Sequence, residues 1–402
     1  MTRCSCAIAS PSVDEALAAL IDTAPTLDTT EVALHAALGR TLARTIRAPR
    51  AYPPFNRAMM DGYAARHAEL GDGNPGNAAA LRVRPASDSD HSAPHPLPAG
   101  HCAAIATGAP LPPGADVVLR RERVNVSAGW LHVIEPASPW ADCETVGAVA
   151  MPGAPILSSG TILTAGHLSL AARHGLATLP VRRAPRVAVL VTGDELIPPG
   201  EPCPPGSIHD SNSILLQATL TRLGAEVVGP AAPLADHLPT LEAAVRRQLA
   251  DADVVCLIGG SSVGTRDFGR ALLTRVGTTL FEGVSMRPGR PTSAAATPDG
   301  KLVIALPGRP AALLTALQVL VRPLLEAMQS SAAATPAPCA RLVSPIGPMN
   351  AARYLPVRLE CRDGTWWTLE QDVEAEYADA LAVIPAHRTL DASTPVNLIA
   401  LR

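Results

Sequence analysis

Lysine is almost absent from this sequence, and arginine carries nearly all of its positive charge. Lys301 is the only lysine in a chain with 33 Lys and Arg residues in total and a formal net charge of −3. Proteins that bind along a nucleic-acid backbone need a concentrated basic surface. No long basic run occurs here, so we do not expect nucleic acid to be a partner.

The sequence also lacks the features of membrane and secreted proteins. No unbroken apolar run is long enough to span a membrane, and Asp14, Glu15 and Asp22 interrupt the apolar residues near the start, unlike the core of a signal peptide. The eight cysteines form no paired C-x-x-C metal template. We therefore expect a cytoplasmic protein with no membrane association, whose thiols are small buried or idle groups.

The length of the chain favours several domains, because 402 residues exceed what one hydrophobic core usually organises. Shifts in composition and periodicity predict a multidomain fold of α/β plus β class. Its four parts are an N-terminal helical and linker domain (residues 1–48 and 145–180), a β-rich domain (49–144), an α/β domain (181–330) and a small C-terminal β-domain (338–402). A stretch of small residues and proline at 332–338 has the composition of a linker.

Hydrophobic periodicity predicts the main elements of these parts. Residues 10–47 show a helical pattern that ends at the prolines of 49–54, and a second helix is expected over 164–174. Short β-type runs occupy 103–105, 116–119 and 130–134. From residue 187 onward, buried strands alternate with helices, which is typical of a parallel sheet: strands at 187–191, 225–228, 253–258 and 301–305, and helices at 214–223, 238–249, 268–276 and 311–328.

Three motifs follow strands of the predicted parallel sheet. In open α/β sheets, ligands bind at the carboxyl ends of the strands, where helix N-termini attract anions. The sequence V-T-G-D-E-L (191–196) follows the first strand, I-G-G-S-S-V-G-T-R-D (258–267) the third, and L-P-G-R-P (306–310) the last. We expect these loops to converge on one crevice, although a Gly-Gly-Ser loop alone is equally typical of a tight turn with a serine cap.

Three further segments carry candidate ligand-binding groups. M-R-P-G-R-P (286–291) places Arg287 and Arg290 around a Pro-Gly turn, which suits an oxyanion, although both arginines could simply be solvated. Asp61, in P-F-N-R-A-M-M-D-G-Y-A-A (54–65), and Thr107, in a glycine-rich bend at 105–118, present a carboxylate and a hydroxyl on turns. From the residues alone, either of these last two could be merely structural.

The order and combination of these segments resemble the molybdopterin molybdenumtransferase family, of the MoeA and gephyrin E-domain type. The six shared motifs are Met-Asp-Gly-Tyr-Ala, Thr-Gly-Ala, Thr-Gly-Asp-Glu-Leu, Gly-Gly-x-Ser-x-Gly, Pro-Gly-basic-Pro and Leu-Pro-Gly-x-Pro. All six occur in order in the chain. The resemblance is specific from about residue 10 to 330 and loose over the last seventy residues.

The resemblance implies a MoeA-like fold and an elongated homodimer whose active site takes residues from both subunits. Its substrates would be molybdate and adenylylated molybdopterin, with Mg²⁺ assisting the phosphate chemistry, and a molybdopterin adenylyltransferase or a recipient molybdoenzyme is a possible protein partner. Carried over by motif, the catalytic residues would be Asp61, Glu195, Asp236 and Asp267, of which Asp61 and Asp267 are the metal candidates. The substrate-binding residues would be Thr107, Gly108, Thr192, Gly259, Gly260, Ser261, Ser262, Arg287, Arg290, Pro307 and Gly308.

The sequence departs from the family pattern at several positions. Val149 stands where the family has a carboxylate, Arg121 aligns with a glutamate, and Arg309 with an asparagine. Arginines replace both lysines of the Pro-Gly turn, which keeps the charge but not the compactness of the side chain. The segment 373–376 occupies the place of a Gln-Gly-Ser signature.

Three functions are therefore compatible with the sequence. The first is a working molybdenumtransferase, which most of the motif residues favour. The second is a catalytically impaired paralogue that binds or carries molybdopterin or its molybdenum cofactor, which Val149 and Arg309 favour. The third is a molybdopterin adenylyltransferase, which the large parts outside the α/β domain disfavour.

Overall fold

A computed structural model describes residues 10–71, 80–84, 95–135, 137–229, 232–259, 268–330, 338–371 and 377–401. The chain divides into two compact units. The larger unit comprises Met1–Arg44, Ser159–Ala165 and Thr178–Arg402, and the smaller unit comprises Thr45–Ser158 and Gly166–Ala177. The four-part division made from the sequence stays a prediction, and its linker at 332–338 lies almost wholly outside the described residues.

A mixed six-stranded sheet forms the centre of the larger unit. Its strands, in spatial order, are Glu226–Val228, Arg186–Val191, Val254–Ile258, Leu302–Leu306, Ser293–Ala296 and Thr278–Glu282. The first four are parallel, as predicted. The sequence analysis did not predict the last two, of which Ser293–Ala296 runs antiparallel to both of its neighbours. Because this sheet is covered on both faces, Val254–Ile258 and Leu302–Leu306 are buried at every position.

Helices cover the two faces of this sheet and create two cores. Alternate side chains of one strand point to opposite faces, so Val189 lies in one hydrophobic cluster while Ala188 and Leu190 lie in the other. Helix Asn212–Arg222 contributes to the first cluster, and helices Leu238–Leu249 and Phe268–Val276 contribute to the second. The predicted bounds of the last two helices are confirmed.

The longest helical stretch of the larger unit runs from Pro310 to Met328. It consists of α-helix Pro310–Ala316, a π-helical segment Leu317–Val321 and α-helix Arg322–Met328. Its 19 residues are long and apolar enough to cross a membrane by length and composition alone. However, 72% of this stretch is buried inside the molecule, as expected of a core helix.

The N-terminal helix is shorter than predicted. Helix Val13–Thr23 begins at a capping box formed by Ser12 and Glu15 and buries Ala16 and Leu20. The prediction that helix continues to residue 47 is wrong, because Thr29–Ala33 forms a strand antiparallel to Thr178–Arg182. The β-branched residues of the segment T-T-E-V-A fit a strand better than a helix.

A second six-stranded sheet contains most of the C-terminal residues of the larger unit. Its order is Met286–Arg287, Ala352–Arg362, Thr365–Gln371, Cys339–Arg341, Pro395–Ala400 and Ala380–Ile384, and Ala352–Arg362 also pairs with Ala380–Ile384. The extra pairing closes these strands into a ring around a separate hydrophobic cluster. The compact β-domain expected here is consistent with this sheet.

The smaller unit is built on a third six-stranded sheet. Its order is Val117–Arg120, Gly62–Ala65, His101–Ile105, Ala80–Arg84, Trp130–Val133 and Val124–Ser127. Shorter pairs join Arg57–Ala58 to Cys143–Glu144 and Ile46–Arg47 to Pro155–Leu157. Helix Ala165–Arg173, close to its predicted bounds, has all but its first residue in this unit. The short β-runs predicted here are confirmed.

Candidate functional site

The carboxyl ends of three parallel strands lie at one level in the larger unit. Val191, Ile258 and Leu306 are register partners. Beyond them, the amide of Thr192 donates to the carbonyl of Ile258 at 2.9 Å, and the amide of Gly259 donates to the carbonyl of Leu306 at 3.4 Å. The three predicted loops therefore begin side by side. The candidates Gly260, Ser261, Ser262 and Asp267 lie outside the described residues.

Gly259 meets a steric requirement of this arrangement. Its φ is +98°, and a Cβ atom at this position would lie 2.3 Å from the carbonyl oxygen of Thr192. Only glycine tolerates both conditions. The fold therefore requires glycine at position 259 whether or not a ligand binds there.

Acidic side chains surround Thr192 at the end of the first strand. The buried Thr192 hydroxyl donates to Asp236 Oδ1 at 2.6 Å, and the Asp236 amide donates to Asp194 Oδ1 at 3.1 Å. Glu195 is exposed, and its Oε2 lies 2.9 Å from where a Cβ atom on Gly193 would be. Three carboxylates therefore lie at or next to one loop. Sequence reasoning singled out Glu195 and Asp236 but not Asp194, although it belongs to the same Thr-Gly-Asp-Glu motif.

The loop after the last parallel strand contacts a residue that sequence reasoning missed. Pro307 is buried and Gly308 is exposed. The carbonyl of Gly308 accepts a 2.6 Å hydrogen bond from Nδ2 of Asn212, the first residue of helix Asn212–Arg222. The sequence marks the start of this helix with an Asp-Ser-Asn segment at 210–212, but nothing in that segment points to Gly308.

The Pro-Gly turn presents two exposed guanidinium groups. Gly289 has a φ of +112°, and the buried Thr292 holds its carbonyl with a hydroxyl bond of 2.8 Å. Arg287 and Arg290 are exposed, and within the described ranges neither side chain forms a hydrogen bond or ion pair. A Cβ atom on Gly289 would lie 3.5 Å from the carbonyl oxygen of Ala312, so this turn lies against the helix that follows Gly308.

The predicted pair Asp61 and Thr107 is in contact in the smaller unit. The backbone amide and the hydroxyl of Thr107 donate to Asp61 Oδ1 at 2.7 and 2.8 Å. These hydrogen bonds stabilise the carboxylate and lower the pKa of Asp61, with a smaller contribution from the charge of Arg121. Gly108 has a φ of +83°, and its amide donates to the carbonyl of Ala58 at 2.8 Å, which completes the turn.

The departures from the family pattern are exposed in the structure. Val149 has 52% of its surface exposed, and its amide donates to the carbonyl of Tyr52 at 3.0 Å, so the side chain itself is not held in the core. Arg121 and Arg309 are also exposed. The segment 373–376 lies outside the described residues. The altered side chains that the structure describes therefore change surface chemistry without disturbing a core.

Magnesium can be tested against the residues present. In the part of the chain that the structure describes, no three His, Cys, Asp or Glu side chains gather into a metal-binding group. Mg²⁺, however, is commonly held by one or two carboxylates together with substrate phosphates. Asp61 uses only Oδ1 for Thr107, so Oδ2 is available as a single carboxylate ligand of this kind.

Two family models match most of the chain. The model "MoeA N-terminal region (domain I and II)" matches residues 11–175, and the model "Probable molybdopterin binding domain" matches residues 188–327. A relative from Nostoc sp., named molybdopterin molybdenumtransferase, is 31% identical over 79% of this chain and 74% of its own length. Molybdopterin molybdenumtransferase 2 from Mycobacterium tuberculosis is 35% identical over 73% of this chain and 74% of its own length.

Solved structures give the same result for the fold. The crystal structure of a molybdopterin biosynthesis MoeA protein from Pyrococcus horikosii matches with a TM-score of 0.84 and 28% identity. The match covers 98% of this chain and 99% of the archaeal chain. The similarity therefore extends over the C-terminal sheet as well as the parts that the two family models match.

Proposed function

The chain belongs to the molybdopterin molybdenumtransferase family, and on that premise we propose that it inserts molybdate into adenylylated molybdopterin and releases AMP. It is thus a transferase of molybdenum cofactor biosynthesis. The alternative of an impaired carrier paralogue has no comparable support, because the relatives with matching sequences are named as transferases. A molybdopterin adenylyltransferase is equally disfavoured.

One observation carries the proposal: loops at one level of the sheet lie beside a group of arginines that have no acidic partner among the described residues. Thr192 follows strand Arg186–Val191 and Pro307 follows strand Leu302–Leu306. The turn bearing Arg287 and Arg290 lies against the helix after Gly308. Guanidinium groups bind phosphate and other tetrahedral oxyanions through paired donors. Molybdate and the substrate's phosphates are anions of this kind.

The acidic residues suit the other half of the reaction, in which water cleaves the adenylate. Asp61 is held as a carboxylate by Thr107, so it can accept a hydrogen bond from an attacking water molecule. Asp236 is oriented by Thr192, and Glu195 is exposed in the same Thr-Gly-Asp-Glu loop as Thr192. We assign catalytic roles to Asp61, Glu195, Asp236 and Asp267, and substrate binding to Thr107, Gly108, Thr192, Gly259, Gly260, Ser261, Ser262, Arg287, Arg290, Pro307 and Gly308.

We further propose that the carboxylates of Asp61 and Asp267 are ligands of a Mg²⁺ ion. When bound together with substrate phosphates, it would neutralise charge that develops on the phosphate oxygens. The chain's own contribution is to keep Asp61 ionised and oriented through Thr107. Release of AMP by the wild-type chain that depends on Mg²⁺, together with loss of this release in Asp61→Asn, would support this assignment, whereas full wild-type activity in a chelator would oppose it.

The proposed working form is a cytoplasmic homodimer in which each active site takes residues from both copies. Mixed dimers provide the test. Asp61→Asn and Arg287→Ala chains, each inactive alone, should recover about one quarter to one half of wild-type activity when dissociated and reassociated together, because some sites then receive two intact contributions. No recovery in verified mixed dimers would place both residues in a site within one chain. Pull-down with a molybdopterin adenylyltransferase or a molybdoenzyme would test the protein partners.

Complementation tests the function in cells. A strain that lacks its own molybdenumtransferase should regain nitrate reductase activity at low molybdate when it expresses this chain. Rescue only at high molybdate would indicate a weakened oxyanion site. Failure at both concentrations, with the protein present and folded, would favour the non-catalytic paralogue.

A further inference from the structure

Asn212 is the first residue of a helix, but its side chain does not cap that helix. A side chain of this type normally accepts hydrogen bonds from free amides at an N-terminus. In helix Asn212–Arg222, however, Asp210 takes that role, since the buried Asp210 Oδ1 accepts from the amide of Ser213 at 3.0 Å. Asn212 instead directs its Nδ2 at the carbonyl of Gly308, 96 residues away. Helix capping therefore does not account for this asparagine.

The oxygen of the Asn212 amide is a second unexplained feature. Oδ1 is buried, and no hydrogen-bond donor reaches it among the described residues. Buried amide oxygens are generally paired, because leaving one unpaired costs free energy. This cost indicates that the side chain is held in place for a purpose other than the stability of the fold.

Gly308, the partner of Asn212, has no steric reason to be glycine. A Cβ atom at this position would have no atom of the described residues within 4 Å, and the φ of Gly308 is outside the left-handed range. Gly289 differs, since a Cβ there would lie 2.7 Å from Met286 Cε. The fold thus leaves open space in front of Gly308, next to the exposed Arg309 and close to the arginine turn.

We propose that Asn212 is a positioning residue of the transferase site, which fixes the Gly308 peptide so that its open side receives the phosphate-bearing part of the adenylylated substrate. The inference rests on the proposed function and adds to it a residue outside the motifs by which the site was recognised. The side-chain amide of Asn212 donates to the carbonyl of Gly308 and so fixes the orientation of this peptide. The ligand then occupies the open space where Gly308 has no side chain. Arg309, which forms no ion pair among the described residues, lies beside it, and its positive charge selects an anionic group.

Substitution at both ends of the contact tests the proposal. Asn212→Asp keeps the size but sets a carboxylate oxygen against the Gly308 carbonyl, and Gly308→Ala fills the open space. Both should raise KM for adenylylated molybdopterin by about tenfold or more, with kcat changed less than about threefold. Asn212→Gln, which retains the donor on a longer side chain, should recover part of the loss. A merely structural role would lower Tm and leave KM unchanged.

Gly347→Ala is the matched control, because a Cβ at Gly347 also meets nothing within 4 Å. It should change neither KM nor Tm. The same proteins should be titrated with AMP alone by calorimetry. If the wild-type chain proves inactive, the transferase function is refuted. If that chain nevertheless binds AMP about tenfold more tightly than Asn212→Asp does, the positioning role of Asn212 is supported. Unchanged AMP affinity and unchanged KM in both variants would overturn the role of Asn212.

Discussion

The contact between Thr107 and Asp61 makes a prediction about the ionisation of a single carboxyl group. Two hydrogen bonds from Thr107 lower the pKa of Asp61, so the wild-type group stays charged below its ordinary titration range. Thr107→Val removes the hydroxyl donor and keeps the amide. We expect the pKa of Asp61 to rise towards the usual value near 3.9, measured by NMR titration of the labelled carboxyl carbon.

Thr221→Val serves as the control for this measurement. Its hydroxyl bonds the Gln217 carbonyl within a helix of the larger unit, so its loss should leave Asp61 unchanged. An identical Asp61 titration in wild type and Thr107→Val would show that the hydroxyl contributes nothing to its ionisation.

His174 makes a prediction about stability. Its side chain is buried at 2% exposure, neither ring nitrogen has a hydrogen-bond partner among the described residues, and the ring packs 5.6 Å from the ring of Tyr52. Because a buried polar group without a partner costs about 1–3 kcal/mol, His174→Leu should unfold at the same temperature as wild type or higher. The exposed His132→Leu should show no gain. A clear loss of Tm specific to His174→Leu would mean that a nitrogen is bonded, for example to a buried water.

At the scale of the elements, the position of Gly62 in its strand leads to the next prediction. Gly62 pairs with Arg120 across the sheet of the smaller unit, and a Cβ atom on it would lie 2.0 Å from the backbone oxygen of Leu119. A backbone atom cannot move aside as a flexible side chain can. Gly62→Ala should therefore cost about 2–4 kcal/mol of unfolding free energy, measured by denaturant titration.

Gly347→Ala again provides the comparison for Gly62→Ala. It adds the same methyl group where nothing lies within 4 Å, and its φ is not left-handed, so its effect should stay within about 0.5 kcal/mol. Equal stability of the two variants would show that the strands around Gly62 can separate without cost. Ligand binding, and not packing, would then explain why the Met-Asp-Gly-Tyr-Ala motif has a glycine at position 62.

The elements also show what the sequence could reveal. Helices Leu238–Leu249 and Phe268–Val276 were predicted to the residue, because each shows an apolar stripe with helical spacing. Strand Ser293–Ala296 was not predicted, because its sequence S-A-A-A favours helix and only the strands on both sides impose the extended form. Thr29–Ala33 was missed for a different reason: its β-branched residues suit a strand, but the spacing of the apolar residues around it was interpreted as helical, and its pairing partner lies about 150 residues away.

The site was predictable to the extent that its residues lie in strand-to-helix loops. Thr192, Gly259 and Pro307 follow buried strands, and the rule that ligands bind at the carboxyl ends places them together. The bond between Asn212 and Gly308 joins residues 96 positions apart and has no local pattern. Such a contact becomes visible only when the chain is folded.

For the whole molecule, the ion pair between Asp253 and Arg183 predicts how stability responds to acid. Burial alone would raise the pKa of Asp253, but bonds of 2.7 Å to each nitrogen of the Arg183 fork and one from the Arg186 amide outweigh burial and lower it. A lowered carboxyl pKa adds stability that is fully present above the unfolded value near 3.9 and is lost as pH falls through the folded value.

Asp253→Asn should therefore be less stable than wild type by about 2–4 kcal/mol at neutral pH, and the difference should shrink as pH falls below about 4. Denaturant unfolding at a series of pH values measures both. Asp28→Asn is the control, since Asp28 lies 4.0 Å from the same arginine with 91% of its side chain exposed, and its loss should cost less than about 1 kcal/mol. A difference between wild type and Asp253→Asn that does not vary with pH would refute this account.

The strand Met286–Arg287 pairs in parallel with Ala352–Arg353, so the turn that bears Arg287 and Arg290 is joined to the C-terminal sheet through main-chain hydrogen bonds. Main-chain hydrogen bonds form between groups that nearly all residues share, so they depend little on the identity of the side chains. The last seventy residues can thus accumulate substitutions over evolutionary time, as the loss of the family's Gln-Gly-Ser signature suggests, and still brace the turn. A truncation that ends the chain near residue 330 would remove that support from the turn. Selection would therefore act on the presence of the C-terminal sheet far more strongly than on its amino-acid sequence.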